Sequence, residues 1–223
     1  MRDEARRLTR ALHQHLEGLR TLGVTSLPRA HGSAERSREA RLDRLARQVQ
    51  ACRRCPLYRT RTHAVISDGS PQARLVFVGE APGREEDLAG VPFVGTAGQL
   101  LTKMIEAMGL ARRDVYICNV LKDRPPANRT PLPEEVEACL PFLHEQLAVV
   151  RPAVICTLGA VATKALLGPQ IAITRLRGQV CDYRGTPLVP TFHPAYLLRN
   201  PAMKRLAWAD LKTIKALLET HDR

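Results

Sequence analysis

Three runs dominated by apolar residues, Leu75–Val78, Val115–Val120 and Ala153–Leu158, punctuate the middle of the chain. Short runs of this kind predict strands buried on both faces. A fourth, Pro187–Thr191, is separated from Gln179–Tyr183 by Arg184-Gly185-Thr186, which predicts a hairpin-like return. Between the runs the apolar period lengthens to that of a helix, over Thr96–Met108, Glu134–Val150, Ala160–Leu167 and Ala202–Leu218. Pro133 suits a first helical turn, and Gly159 closes the third strand. The proline-rich stretch Leu121–Pro133 excludes both helix and sheet. Upstream, Leu8, Leu12, Leu16, Leu19 and Leu22 repeat at helical spacing, with Gly23 as a stop and Val24–Ser33 as a linker. A second pattern follows, with Leu42, Leu45, Ala46 and Val49 on one face. Strands alternating with helices predict an α/β fold, a three-layer α/β/α sandwich around a central, mainly parallel sheet. Residues 1–45 form a helical N-terminal extension and linker to a main domain over 46–223.

Composition narrows the setting. A chain of 223 residues can bury one substantial core. Net charge is +12, and residues 1–45 alone carry ten Arg against six acidic residues, which favours a polyanionic partner. No apolar stretch is long enough for a bilayer, and the first twenty residues are too charged for a signal peptide, so a soluble, cytoplasmic protein is expected. In that setting six cysteines point to metal binding or plain burial, not to disulfides. Cys52 and Cys55 are separated by two residues, but a redox pair would follow a strand, and here the pair follows a helical pattern. A zinc ribbon would need a second close pair, whereas Cys118, Cys139, Cys156 and Cys181 are isolated. A cluster with distant ligands and unliganded buried thiols both remain open.

The chain is organised around Gly79–Leu101, GEAPGREEDLAGVPFVGTAGQLL, which leaves the first buried strand and opens a helix. Glycines let backbone approach a ligand, and α/β sheets hold ligands beyond the carboxyl ends of their strands. Three such ends offer Gly79-Glu80-Ala81-Pro82-Gly83, Asn119 and His193-Pro194, followed in the first case by the acidic group Glu85, Glu86 and Asp87. A carboxylate, an amide and an imidazole on one rim make a candidate site. Taken singly, each has a structural alternative: a solvated acidic loop, a turn histidine, a turn-forming Asn, a core Phe93.

CRRCP from Cys52, GEAPG from Gly79, GVPFVGTAGQLL from Gly90, NVLKDRPPANRTPLPEE from Asn119 and TFHPAYLLRNP from Thr191 resemble, in order, the family 4 uracil-DNA glycosylases of the iron–sulfur type. The resemblance runs from about Cys52 to Leu218. It implies a uracil-DNA glycosylase-like fold and excision of uracil from DNA to leave an abasic site. By the same resemblance Phe93 stacks on a flipped uracil, Asn119 reads its amide edge, and Gly79, Ala81, Pro82 and Gly83 bring backbone close to the base. His193 donates to developing charge on uracil O2. Glu80 is the first choice for the carboxylate near the sugar, with Glu86 or Asp87 able to share the role. Pro194, Tyr196, Leu197, Leu198 and Arg199 match a DNA-intercalating loop, with Leu197 or Leu198 as the wedge and Arg199 facing phosphate.

The family also implies a 4Fe-4S cluster held by four cysteines. Cys52, Cys55 and Cys139 match three of them, and Asp123 stands where the fourth is expected. Asp123 is the favoured replacement ligand and Cys118 the less favoured one; a lost or three-iron cluster is a further option. Lys122–Pro133 contains no His of the kind that captures uracil covalently in a related group, so repeated turnover is expected. Uracil-containing DNA is the expected partner of a monomer, with residues 1–45 available to a replication or repair partner. The competing readings are a non-catalytic uracil- or DNA-binding relative, a module that tethers a replication partner, and a zinc or redox protein built on Cys52 and Cys55.

Overall fold

A computed structural model describes Glu17 and residues 31–220. The chain divides into two compact units, residues 1–36 and 37–223. Leu8 to Leu22, with their predicted helix, lie outside the described residues apart from the helical Glu17. Helix α1 (His31–Gln50) includes the end of the expected linker and is continuous across residue 45. Leu45 and Val49 on α1 are buried, as the pattern of the second leucine face predicts.

Six strands form one sheet: β1 (Asp68–Gly69), β2 (Leu75–Gly79), β3 (Tyr116–Asn119), β4 (Val154–Leu158), β5 (Cys181–Tyr183) and β6 (Thr186–Thr191). Their order is β1-β3-β2-β4-β6-β5. The inner four are parallel, and the two edges are antiparallel. Apolar runs make the inner strands because both faces are covered. Alternate residues then part to opposite sides, the period of two that a pleated strand imposes. Val76, Val78, Tyr116, Cys118 and Ile155 join one core cluster with Leu45 of α1, Leu143 and Leu147 of α4 (Pro133–Val150) and Ala162 of α5 (Ala160–Leu167). Leu75, Phe77, Ile117, Val154 and Cys156 join the other, with Leu101 and Ile105 of α3 (Thr96–Ala107) and Leu211 and Ile214 of α8 (Lys204–Thr220). The result is the predicted three-layer α/β/α arrangement.

Short elements depart from the sequence reading. The acidic group after Gly83 is a helix, α2 (Arg84–Ala89), with three acidic residues in its first turn, where they face the positive end of the helix dipole. Two more short helices occur, α6 (Ile173–Leu176) and α7 (Pro194–Arg199). The proline-rich stretch holds a single 3-10 turn at Pro126–Asn128, and α4 starts at Pro133, one residue before the predicted Glu134. No helix among the described residues is long and apolar enough to cross a membrane.

One buried ion pair ties the end of the parallel sheet to α8. Asp210 is 1% exposed and accepts from Thr191 Oγ1 at 2.7 Å and from the Arg177 guanidinium. Arg177 also donates to Leu206 O at 2.8 Å, so it joins α8 at two points. Removing one member of a buried pair strands the other charge without a partner. Arg177→Ala is therefore expected to lower stability by about 3 kcal/mol, read from urea unfolding.

Candidate active site

The parallel register sets Gly79 beside Asn119 and Leu158 beside Thr191, so the chain leaves β2, β3 and β6 on one rim. A cleft of about 580 Å³ opens there, lined by Glu80, Phe93, Asn119 and His193 among others. Its floor is the end of β2. A Cβ on Gly79 would lie 2.3 Å from Asn119 Oδ1 and 2.5 Å from Phe93 Cζ, so only glycine lets the amide and the ring meet. Phe93 is buried and takes a left-handed backbone conformation at φ 54°. Gly98 makes room for it: a Cβ there would be 1.9 Å from Phe93 O. Asn119 is 2% exposed, and its Oδ1 is the one buried side-chain N or O atom among the described residues without a hydrogen-bond partner. An acceptor desolvated in this way is strongly unfavourable unless a ligand supplies the donor.

His193, in the same cleft, caps α7. Its Nδ1 accepts from Ala195 N at 3.1 Å, which leaves Nε2 to carry the proton of the neutral ring. The Phe93 and His193 rings lie 5.7 Å apart, centroid to centroid. Burial, aided by the Arg199 guanidinium, pushes the imidazole down to about 4, against a smaller opposing pull from Glu86. His193 is thus a neutral N–H donor near pH 7. Glu80 also lines the cleft, and no protein group among the described residues bonds its carboxylate. Burial pushes that carboxyl above its usual range.

The neighbouring acids are committed elsewhere. Glu86 Oε2 accepts from Gly83 N at 3.1 Å, while Oε1 accepts from Val94 N and Gly95 N, both at 2.9 Å. It borders the cleft as a clasp between the GEAPG turn and the Phe93 loop. Asp87 does not reach the cleft: its carboxylate accepts from Thr62 N and Thr62 Oγ1, both at 2.8 Å. The Thr62 N–H and hydroxyl hold Asp87 outside the cleft, which corrects the expectation for that residue, while Glu86 stays at the cleft border with three backbone N–H groups on its carboxylate. Gly79 contributes to the floor from beneath, whereas Ala81, Pro82 and Gly83 line the wall.

On the rim, α7 orients its residues by helical phase. Leu197 is 1% exposed and belongs to the core, so it cannot be the wedge, whereas Leu198 is 38% exposed and borders the cleft. Tyr196 and Arg199 also line it, and Pro194 is buried at the first helical position, outside the lining. Glu85 of the acidic group lines the same cleft, and sequence reasoning missed three further neighbours there, Thr96, Asn128 and Arg129. It also missed Lys122, 1% exposed, whose Nζ donates to Asn119 O and Gln146 Oε1, both at 2.6 Å. Gln146 in turn donates to Ile66 O and Tyr116 OH, both at 3.0 Å. The available signal was a lysine three residues past a strand-end Asn, too common to single out.

The cysteine set can be tested against a cluster. Cys55 and Cys139 are buried in one core cluster, with Cys52 packed on it. Cys118 sits within β3 opposite Val78, with its side chain in the core, away from a ligand position. Asp123 points to Arg61, whose Nη1 lies 2.9 Å from Oδ1 and 3.1 Å from Oδ2. Among the described residues no group of three or more His, Cys, Asp or Glu is arranged to hold a metal ion. Cys55 lies within electrostatic range of Cys52 and Asp123, and Cys139 within range of Cys55 and Asp123, so the lobe gathers three thiols and a carboxylate paired with Arg61 in place of the four thiolates a cluster takes.

His193 ties the site to stability. As pH falls, the unfolded chain protonates this residue near 6.5, the folded one only near 4. Across that interval the unfolded state binds the extra proton, so the His193 contribution makes stability rise with pH. The unfolding free energy of wild type minus that of His193→Gln is expected to increase from about pH 4 to about 6.5 and to stay level above, by urea titration at each pH.

Residues 66–212 match the family description of the uracil DNA glycosylase superfamily. The chain is 45% identical over 187 residues to a type-4 uracil-DNA glycosylase of Thermotoga maritima, covering 82% of this chain and 97% of that protein. It is 44% identical over 184 residues to one of Archaeoglobus fulgidus, covering 79% and 92%. A third, from Sulfurisphaera tokodaii, is 42% identical over 191 residues, covering 82% and 87%. With the rim of Glu80, Asn119 and His193 in place and similarity of this extent on both sides, the chain belongs to the uracil DNA glycosylase superfamily, in its type-4 group.

Proposed function

We propose that this protein removes uracil from DNA, hydrolysing the bond between base and sugar to leave an abasic site for repair. The observation that carries the reading is the unpartnered, buried Asn119 Oδ1 in a cleft shared with a neutral histidine and a free carboxylate. Relatives bearing the name type-4 uracil-DNA glycosylase support it. A base inside a duplex must be turned out of the stack before its edge can be read. Leu198 fills the gap that the base leaves, and Arg199 meets phosphate, in keeping with a chain of net charge +12. The extruded ring lies against Phe93. Asn119 Oδ1 accepts from uracil N3–H while the amide nitrogen donates to O4. Cytosine presents an acceptor and a donor in the reverse order, so it meets the same amide with its polarity mismatched.

Cleavage sends the C1′–N1 electron pair to the uracil, and the negative charge spreads onto O2. His193 Nε2–H donates to that oxygen, and as a neutral donor it matches charge that develops only in the transition state. The sugar becomes cationic at C1′. Glu80 stabilises that cation, orients a water molecule and accepts its proton as the water oxygen bonds to C1′. The uracil anion takes its proton from solvent. One cleft holds every group needed, so a monomer suffices, and the reading is of a soluble cytoplasmic enzyme. Residues 1–45 are the segment available to a replication or repair partner. A non-catalytic uracil-binding relative is the alternative, and it gives no role to a desolvated, unpaired Glu80.

The assay is alkali-sensitive cleavage of a labelled oligonucleotide containing one uracil, with thymine as control. His193→Ala is expected to slow excision about 100- to 1000-fold, and near-full activity in that variant would refute its role. The pH profile gives a separate check. Glu80 must be ionised, and burial holds its carboxyl above the ordinary range, so kcat/KM should fall on the acid side while His193 is still neutral. Glu80→Gln should lower the rate and abolish that limb; an unchanged limb would assign it to another group.

A further inference from the structure

The cysteine lobe carries a fastening that the family's cluster does not account for. Arg61 lies nine residues past Cys52, at the far end of the loop that holds both Cys52 and Cys55. Its guanidinium spans both sides of the lobe. Nη1 grips Asp123 through both carboxylate oxygens, at 2.9 and 3.1 Å, and approaches Val49 O at 3.4 Å. Nη2 donates to Gln50 O. Val49 and Gln50 are the last residues of α1, whereas Asp123 belongs to the exit of β3. A backbone bond from Val65 N to Lys122 O, 2.8 Å long, runs alongside. The side chains of Arg61 and Asp123 are 14% and 5% exposed, so the pair is largely shielded from water.

These are the segments that a metal cluster on Cys52, Cys55 and position 123 would join. As a ligand, Asp123 would offer iron a hard carboxylate oxygen whose charge a guanidinium already shares, a weaker donor than the thiolate expected there. The three thiols near Asp123 can persist without a metal. Cys55 and Cys139 lie among Leu57, Phe142 and Leu143, and small uncharged thiols behave in such surroundings as apolar side chains.

We propose that the Arg61–Asp123 ion pair, and not an iron–sulfur cluster, fastens the Cys52–Arg61 loop to the exit of β3, so that this type-4 chain folds without iron. The claim concerns metal content and folding, and its fate is separate from that of the uracil-excision reading.

The test begins with full-length protein purified anaerobically and assayed for iron, acid-labile sulfide and zinc, with its visible spectrum recorded. Colourless, folded protein with only trace metal is expected, and a melting temperature unmoved by a strong iron chelator. Brown protein with stoichiometric iron and sulfide would overturn the proposal, as would one zinc per chain. Arg61→Met is expected to lower Tm by roughly 10 °C, as loss of a shielded ion pair in a chain of this size does; an unchanged Tm would overturn the fastening role. Asp123→Cys supplies a fourth thiolate and frees the site of its carboxylate. After anaerobic reconstitution with ferrous iron and sulfide, the variant is expected to hold a cluster that wild type does not. Equal uptake by wild type would count against the proposal whether or not the variant folds.

Discussion

The cleft depends on a close approach at the carboxyl end of β2. Parallel pairing brings the last residues of β2 and β3 side by side, and any side chain on Gly79 would fill the space where Asn119 and Phe93 meet. Everything above that floor follows from it. Phe93 can sit there only by turning its backbone left-handed, and it can do so only because Gly98 gives its carbonyl room. Arg112 holds the same loop from outside, donating to Pro92 O at 2.6 Å. A flat wall for a planar ring is thus made by two missing side chains and one bent backbone.

Acidic residues in the first turn of α2 and in the strand-end loop look alike in composition but do different work. Glu86 and Asp87 are nearly dry because backbone and Thr donors satisfy them; they hold loops. Glu80 has no such partners, and burial raises its carboxyl. His193 is pushed the other way, and its capping bond decides which nitrogen faces the cleft. Environment alone separates the bonded carboxylates from the unbonded Glu80, and it keeps the imidazole uncharged although Glu86 pulls the other way.

Most of the framework was legible in the sequence because inner parallel strands have nothing but apolar neighbours. Leu75–Val78 and Ala153–Leu158 admit few other readings, and strand ends in an α/β fold predict where Glu80, Asn119 and His193 converge. Local phase and long-range partners were not legible. Leu197 and Leu198 are adjacent, and only the packing of α7 assigns one to the core and the other to the rim. The acids of α2 read as a solvated loop since the donors that bury them lie at Thr62 and at Val94 and Gly95, remote in the chain. Asp123 matched a ligand position by alignment of motifs, yet its partner Arg61 is 62 residues away and carries no signature of its own.

The solitary oxygen on Asn119 has a consequence at the end of the reaction. An acceptor kept dry and unpaired raises the free energy of the empty protein by about 1–3 kcal/mol, and in the proposed reaction the arriving N3–H relieves it. Liberated uracil still carries that same N3–H. The free base therefore departs against the very attraction that captured it, and each cycle closes only when water, or another uracil, takes its place.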